Sequence, residues 1–85
     1  MWTEIYADFL GVDICNVVMS EYTNPKQVLN SCENGNKSML KEVLGKVINK
    51  YKNWSGFTID DILNSGALKI AISYALDSYH WRTKA

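Results

Sequence analysis

The sequence predicts an all-α protein, a small bundle of about four to five helices with one intrachain disulfide. Apolar residues recur three and four positions apart over three long stretches, the spacing that lines one face of an α-helix. Turn-forming residues separate these stretches. The chain has 85 residues and two cysteines, Cys15 and Cys32. A single domain of this size, residues 1–85, forms a core with little spare stability, so a disulfide would help it.

The first helix is predicted over residues 3–21. Its first half has one apolar face, formed by Trp2, Ile5, Tyr6, Phe9 and Leu10. After Gly11 the apolar stripe moves round the axis, to Val12, Cys15, Val18 and Met19. Either the helix bends at Gly11, or its halves bury against different partners, as a central helix of a bundle does. We favour the central helix.

Asp13 falls on the first of these apolar faces. There it is either a member of a buried ion pair or an interface residue, unless the helix simply ends near Gly11.

A short helix or turn that carries Cys32 follows. Asn24 suits an N-cap and Pro25 a first helical position, and Asn34-Gly35 is a strong turn signal. A third helix is predicted over residues 37–53. Its apolar face is the clearest in the chain and consists of Met39, Leu40, Val43, Leu44, Val47, Ile48 and Tyr51.

The last helical stretch is predicted from Thr58 to about residue 79, with a candidate break at Ser65-Gly66. Thr58 and Asp61 form an Asp version of the capping box. One apolar side consists of Ile59, Leu63, Ala67, Ile70 and Tyr74, and the other of Leu68, Ile72, Ala75, Leu76 and Tyr79. A chain this short can hardly cover both sides, so we expect a second subunit or a partner protein on one of them.

The two cysteines can meet if the chain folds back as an α-hairpin. A bridge that closes a loop of roughly 15 residues stabilises a domain by about 3 kcal/mol. The alternative is a pair of buried reduced thiols. The small size of the domain favours the disulfide.

Composition argues against several classes of partner. Nine basic residues balance nine acidic ones, without a run of Lys or Arg. We therefore expect no nucleic-acid binding and no polybasic membrane patch. No apolar stretch reaches the ~20 residues of a membrane span, and the first residues do not form a signal segment. Either the protein is intracellular or a signal peptide has been removed.

No catalytic residue, metal site or cofactor is predicted, and we expect no enzyme. A zinc site needs about four paired ligands, and Cys15, Cys32 and the lone His80 lack that spacing. A Cys–His nucleophile pair would require His80 to act from a tail that frays. Asp60 and Asp61 are adjacent on a helix, so they point about 100° apart, and capping explains both.

A protein interface is better supported. Trp54 and Phe57 bracket Ser55-Gly56 in a loop between two helices. Exposed aromatic residues on loops are typical anchors at protein interfaces. The alternative is that both rings turn inward and cap the core.

Three segments carry a resemblance to a known family: "FLGVDIC" at residues 9–15, "CENGNKSMLKEVLGKVINKYKNW" at 32–54 and "GALKIAISYALDSY" at 66–79. In helix order, cysteine placement and apolar spacing they resemble the type VI secretion amidase-immunity proteins, the Tai/Rap-type family of small periplasmic helical proteins. Two departures stand out. Glu33-Asn34 replaces the family's Pro after the cysteine, and Lys52 replaces a Leu after the tyrosine.

The resemblance implies a secreted helical protein, periplasmic after loss of a signal peptide, with oxidised cysteines and no catalysis of its own. Its partner would be a secreted peptidoglycan amidase, whose active-site cleft a loop or helix end occludes. A homodimer, common in the family, would use the second apolar side of the last helix. No family motif fixes the contact residues, so loop geometry selects them here: Asn34, Gly35, Asn36, Trp54, Ser55, Gly56 and Phe57.

Two other functions stay open. A periplasmic acid-stress chaperone needs many carboxylates that titrate at low pH, and nine acids balanced by nine bases are an unremarkable supply. Light scattering with an aggregating client at low pH separates it from an immunity protein. A small cytoplasmic phage or host interaction protein would have reduced cysteines, which mass spectrometry of the untreated protein detects.

Overall fold

The structure is a computed structural model that describes residues 4–84, with side chains from Tyr6 onward. Five α-helices and one short 3₁₀ helix follow one another, and the described residues contain no strand: α1 (Glu4–Glu21), α2 (Pro25–Glu33), α3 (Lys37–Lys50), the 3₁₀ helix (Lys52–Trp54), α4 (Ile59–Leu63) and α5 (Ala67–Thr83). The predicted all-α fold with four to five helices is confirmed. Trp2 and the side chain of Ile5, both assigned to an apolar face, lie outside the described residues.

Helix α1 runs without interruption through Gly11 and contacts α2, α3 and α5, as a central helix does. Its buried residues follow a single stripe with spacings of three and four: Ala7, Leu10, Gly11, Ile14, Cys15, Val17 and Val18. The predicted placement of Tyr6 and Phe9 on the buried face is wrong, because their side chains are 49% and 56% exposed. The small residues Ala7 and Gly11 occupy the buried face instead.

Helices α1 and α5 form the most extensive contact in the molecule. At Gly11 the two backbones are so close that a Cβ atom would lie 2.7 Å from the Ala71 carbonyl oxygen and 2.9 Å from the Tyr74 Cβ. Further along, Arg82 Nη1 donates a hydrogen bond to Asn16 Oδ1 at 2.6 Å. Because early residues of α1 meet early residues of α5, and late meet late, the two helices run in the same direction.

Local signals determine where α3, α4 and α5 begin. The Asn36 side chain caps α3 by accepting a hydrogen bond from the Met39 backbone N–H at 3.2 Å. Thr58 and Asp61 form the predicted capping box of α4, each backbone N–H donating to the other side chain at 3.0 Å. The predicted break at Ser65-Gly66 is confirmed, since α4 ends before these residues and α5 begins after them.

The clearest predicted helix is confirmed with one change at its end. Helix α3 buries Leu40, Val43, Leu44 and Val47. It ends at Lys50 rather than at residue 53, and the last predicted residues form the 3₁₀ helix instead.

The predicted disulfide is wrong. Cys15 in α1 and Cys32 in α2 are both free and buried. The Cys15 Sγ lies 3.7 Å from the Met19 Sδ, one turn along its own helix, and Cys32 is 2% exposed within the core. Each thiol packs as a small apolar side chain. One core cluster draws residues from all five α-helices, and Cys15 and Cys32 are packed within it without a bridge.

None of the helices formed by residues 4–84 combines the length and the apolar character that a membrane span requires.

Candidate partner-binding surface

Trp54 is the buried anchor of the loop between α3 and α4. Its side chain is 1% exposed, and its Nε1–H donates a hydrogen bond to Asp13 Oδ2 at 2.6 Å. A buried indole needs such an acceptor for its single donor. Of the two predicted orientations of Trp54, the structure has the inward one. It also gives Asp13, which is half-buried on α1, a role in holding the loop.

The other loop residues divide between core and solvent. The Phe57 ring is half-buried against the core and lies 5.7 Å from the Trp54 indole, centroid to centroid. Ser55 and Gly56 are exposed. The tip of the loop therefore offers a partner small residues, on a base fixed by the buried Trp54 ring and the half-buried Phe57 ring.

The second predicted contact segment, Asn34, Gly35 and Asn36, is exposed throughout. Gly35 has a φ of 85°, a left-handed conformation that glycine adopts without strain. Asn36 caps α3, as described above. The two predicted segments line different grooves: Trp54 borders one at the start of α1, whereas Gly35 borders one beside α4.

An aromatic groove that the sequence prediction missed lies beside the Trp54 loop. Its volume is about 370 Å³, and its walls are Tyr6, Phe9, Asn53 and Trp54. Tyr6 and Phe9 are three residues apart, so they lie on the same face of α1. The sequence contained only a weak signal for this groove. Apolar residues occur on several sides of α1, so the sequence does not show which apolar side faces solvent.

A second groove runs along α2, and we call it the amide groove. Its volume is about 430 Å³, and it is lined by Tyr22, Asn24, Gln27, Val28, Asn30, Ser31, Asn34 and Met39. The Tyr22 hydroxyl donates a hydrogen bond to Glu42 Oε2 at 2.5 Å. Burial, followed by this hydrogen bond to the Glu42 carboxylate, raises the pKa of Tyr22 well above its usual range. Tyr22 is therefore a neutral hydrogen-bond donor at physiological pH.

Among the described residues, Cys32 and His80, which could carry chemistry, lie in different surroundings. Burial raises the pKa of the Cys32 thiol to about 11, so this sulfur is protonated and a poor nucleophile near neutral pH. His80 is exposed on the last turns of α5. Within residues 4–84, no three His, Cys, Asp or Glu side chains come close enough together to hold a metal ion.

Comparison with protein-family models, with curated proteins and with solved structures finds no match to this chain.

Proposed function

We propose that this protein is an immunity protein that binds a secreted peptidoglycan amidase and occludes its active-site cleft, without catalysis of its own. The observation that carries the proposal is the pair of exposed aromatic side chains, Tyr6 and Phe9, beside the predicted contact loop. Aromatic residues are enriched in protein interfaces, where they bury large areas at low entropic cost. The amidase as partner follows from the family resemblance.

The shape of the loop supports inhibition by occlusion. Ser55 and Gly56 form a tip without large side chains, which a narrow cleft can admit. The hydrogen bond between Trp54 and Asp13 holds the base of this tip before binding, so little conformational entropy is lost on association. Tyr6 and Phe9 would then contact the rim of the cleft, and the turn at Asn34, Gly35 and Asn36 forms a second contact.

A homodimer is part of the proposal. Ile70 and Tyr74 lie one turn apart on α5, and their side chains are 48% and 40% exposed. They belong to the first of the two apolar sides of the last helix, and about half of each side chain stays exposed, although Tyr74 packs against Gly11 of α1. The second side, expected to form the dimer, is instead buried at Leu68, Ile72 and Ala75. A second copy of the chain would bury Ile70 and Tyr74.

The test uses the amidase encoded beside the gene for this protein. We expect the purified protein to bind that enzyme and to inhibit its hydrolysis of peptidoglycan. Phe9→Ala should weaken inhibition at least about tenfold if Phe9 is an interface anchor. Trp81→Ala is the matched control, because Trp81 is 71% exposed but lies near the far end of α5. If the protein binds none of the amidases encoded beside its gene, the proposal is rejected.

A second candidate is a small cytoplasmic interaction protein of phage or host, which the two free thiols favour. Reduced cysteines are the normal state in the cytoplasm, whereas the periplasm is oxidising. Cell fractionation separates the candidates: recovery in the periplasmic fraction supports the immunity protein, and recovery in the cytoplasm supports this alternative.

A further inference from the structure

Within the described part of the chain, no residue that lines the amide groove is charged. Charged groups reach it only behind Tyr22, whose hydroxyl bonds to Glu42 and whose ring centroid lies 5.8 Å from Lys46 Nζ. Four of its lining residues end in carboxamides, namely Asn24, Gln27, Asn30 and Asn34. This lining offers a charged ligand group no direct ion-pair partner, whereas an uncharged polar ligand can pair with the carboxamides. The groove therefore suits an uncharged ligand that is rich in hydrogen-bonding groups.

Part of this hydrogen-bonding capacity is unused within the protein. Asn24 Nδ2 donates to Gln27 Oε1, so these two amides partly satisfy each other. The side chains of Asn30 and Asn34 make no hydrogen bond to any other residue of the described chain. A carboxamide offers two donors and one acceptor oxygen, the same N–H and C=O groups that a peptide backbone presents.

The dimensions match a short extended peptide. Asn24 and Asn34 flank the two ends of α2, and the 1.5 Å rise of an α-helix places them roughly 15 Å apart. At about 3.3 Å per residue, an extended peptide covers this length with four to five residues. The volume of about 430 Å³ lies within the range of ligand pockets, roughly 300 to 1,000 Å³.

The apolar part of the lining adds a means of selection. Val28 and Met39 border the groove together with Tyr22. In an extended peptide, alternate side chains point to the same side. Backbone groups could pair with the carboxamides while alternate apolar side chains contact these three residues, as in other grooves that bind extended peptides.

We propose that the amide groove binds an extended, uncharged peptide segment of another protein through its backbone N–H and C=O groups. This deepens the proposed function and rests on it for the identity of the partner, since the segment would belong to the amidase. Asn34 then contributes to binding through the groove rather than through the turn alone.

A random-sequence peptide display library, selected on the wild-type protein, tests the groove independently of the amidase. We expect the enriched peptides to lack charged residues and to bind the double variant Asn30→Ala, Asn34→Ala about tenfold more weakly, because several hydrogen bonds are lost. Asn49→Ala is the matched control, because Asn49 is exposed on α3 and does not line the groove. Circular dichroism verifies that all variants are folded.

Three results would overturn the peptide groove. The selection could yield no binders, or the selected peptides could bind the double variant as tightly as the wild type. The third is a sugar groove: N-acetylglucosamine tetramer, an uncharged chain rich in hydrogen-bonding groups, binds the wild type but not the double variant. The outcomes also separate the two proposals. If the selected peptides depend on Asn30 and Asn34 but no neighbouring amidase binds, the proposed function fails and the groove stands. If the amidase is inhibited equally by the wild type and by the single variant Asn30→Ala, which changes the groove but neither proposed contact segment, and no such peptide is found, only the groove fails.

Discussion

At the scale of single residues, the hydrogen bond between Trp54 and Asp13 links two segments that are far apart in sequence. It joins the middle of α1 to the 3₁₀ helix after α3. Neither residue identifies the other from its local sequence, because the pairing depends on how the helices pack. The sequence could therefore state the two orientations of Trp54 but could not choose between them.

We expect Trp54→Phe and Asp13→Ala to be strongly non-additive. Phenylalanine at position 54 has no N–H donor, so the half-buried Asp13 carboxylate loses its hydrogen bond. A hydrogen bond to a charged group is worth about 2 kcal/mol. A double-mutant cycle measured by urea unfolding should yield a coupling energy of that size. Effects that add within about 0.5 kcal/mol would show that the bond contributes nothing to stability.

Stability should fall at alkaline pH. The pKa of Cys32 is about 11 in the folded protein, above its ordinary value of 9.0, because the thiol is buried. Below pH 9 the thiol is protonated in both the folded and the unfolded protein, so its contribution to the free energy of unfolding is fully present. As the pH rises from 9 to 11, the unfolded thiol loses its proton while the folded one keeps it, so the free energy of unfolding falls by about 2–3 kcal/mol.

Tyr22 acts in the same direction at higher pH, because its pKa is also raised in the folded protein. Urea unfolding between pH 8 and pH 11 measures the combined effect. Cys32→Ala should be less stable at pH 8 but should lose less stability as the pH rises to 11. If Cys32→Ala loses as much stability as the wild type between pH 8 and pH 11, the Cys32 thiol is not the cause of the alkaline loss of stability.

At the scale of helices, close packing at Gly11 decides how α1 meets α5. Glycine normally weakens a helix by about 1 kcal/mol relative to alanine, yet here the absence of a Cβ lets the two backbones approach. Gly45, in α3, offers a comparison: a Cβ atom there would lie 3.5 Å from Ile59 Cδ1, an ordinary contact.

The two glycines should therefore respond oppositely to alanine. Gly11→Ala should lower the free energy of unfolding by about 1–2 kcal/mol, because overpacking outweighs the gain in helix propensity. Gly45→Ala should raise it by about 0.5–1 kcal/mol. Thermal and urea unfolding measure both. If Gly11→Ala were as stable as Gly45→Ala, the close contact between α1 and α5 would be incorrect.

Helix caps provide a second prediction at this scale. Asn36→Ala should lower the free energy of unfolding by about 1 kcal/mol, because its side chain accepts a hydrogen bond from Met39. Asn24 is also an N-cap, but its side chain makes no capping bond. Asn24→Ala should therefore change stability by only a few tenths of a kcal/mol. Equal losses in chemical denaturation would reject this distinction.

Helix positions were predictable where the signals are local. The capping box at Thr58 and Asp61 and the turn at Asn34-Gly35 involve residues within one or two turns of each other, so the sequence contains the whole interaction. The buried face of α1 was not predictable in this way. Small residues such as Gly11 indicate no face by hydrophobicity, and only the presence of α5 makes that side the interior.

At the scale of the whole molecule, the half-exposed apolar side of α5 raises the question of oligomeric state. Ile70 and Tyr74 are half-exposed, which supports the proposed homodimer. If that proposal is correct, sedimentation at micromolar concentration should find dimers. Ile70→Lys should shift them to monomers without loss of helix content, because a buried lysine would lack a partner charge. A wild-type protein that remains monomeric under these conditions rejects the dimer.

The candidate site was only partly predictable for a reason that applies to the whole molecule. Turn-forming residues correctly predicted two exposed segments: the turn at Asn34, Gly35 and Asn36, and the loop tip at Ser55 and Gly56. The aromatic groove and the free cysteines depend on the arrangement of all five helices. The size argument for a disulfide was wrong because helices distant in sequence complete the core together.

The parallel contact between α1 and α5 has a consequence for biosynthesis. Of the described helices, α1 is synthesised before the others, whereas α5, which covers its close-packed side, follows all of them. Domains whose contacts join neighbouring segments can fold while they are still being synthesised. In this chain the apolar side of α1 stays exposed until α5 has been synthesised. We therefore expect a chain truncated before α5 to aggregate or to be degraded more readily than the whole chain, because the close-packed side of α1 stays exposed.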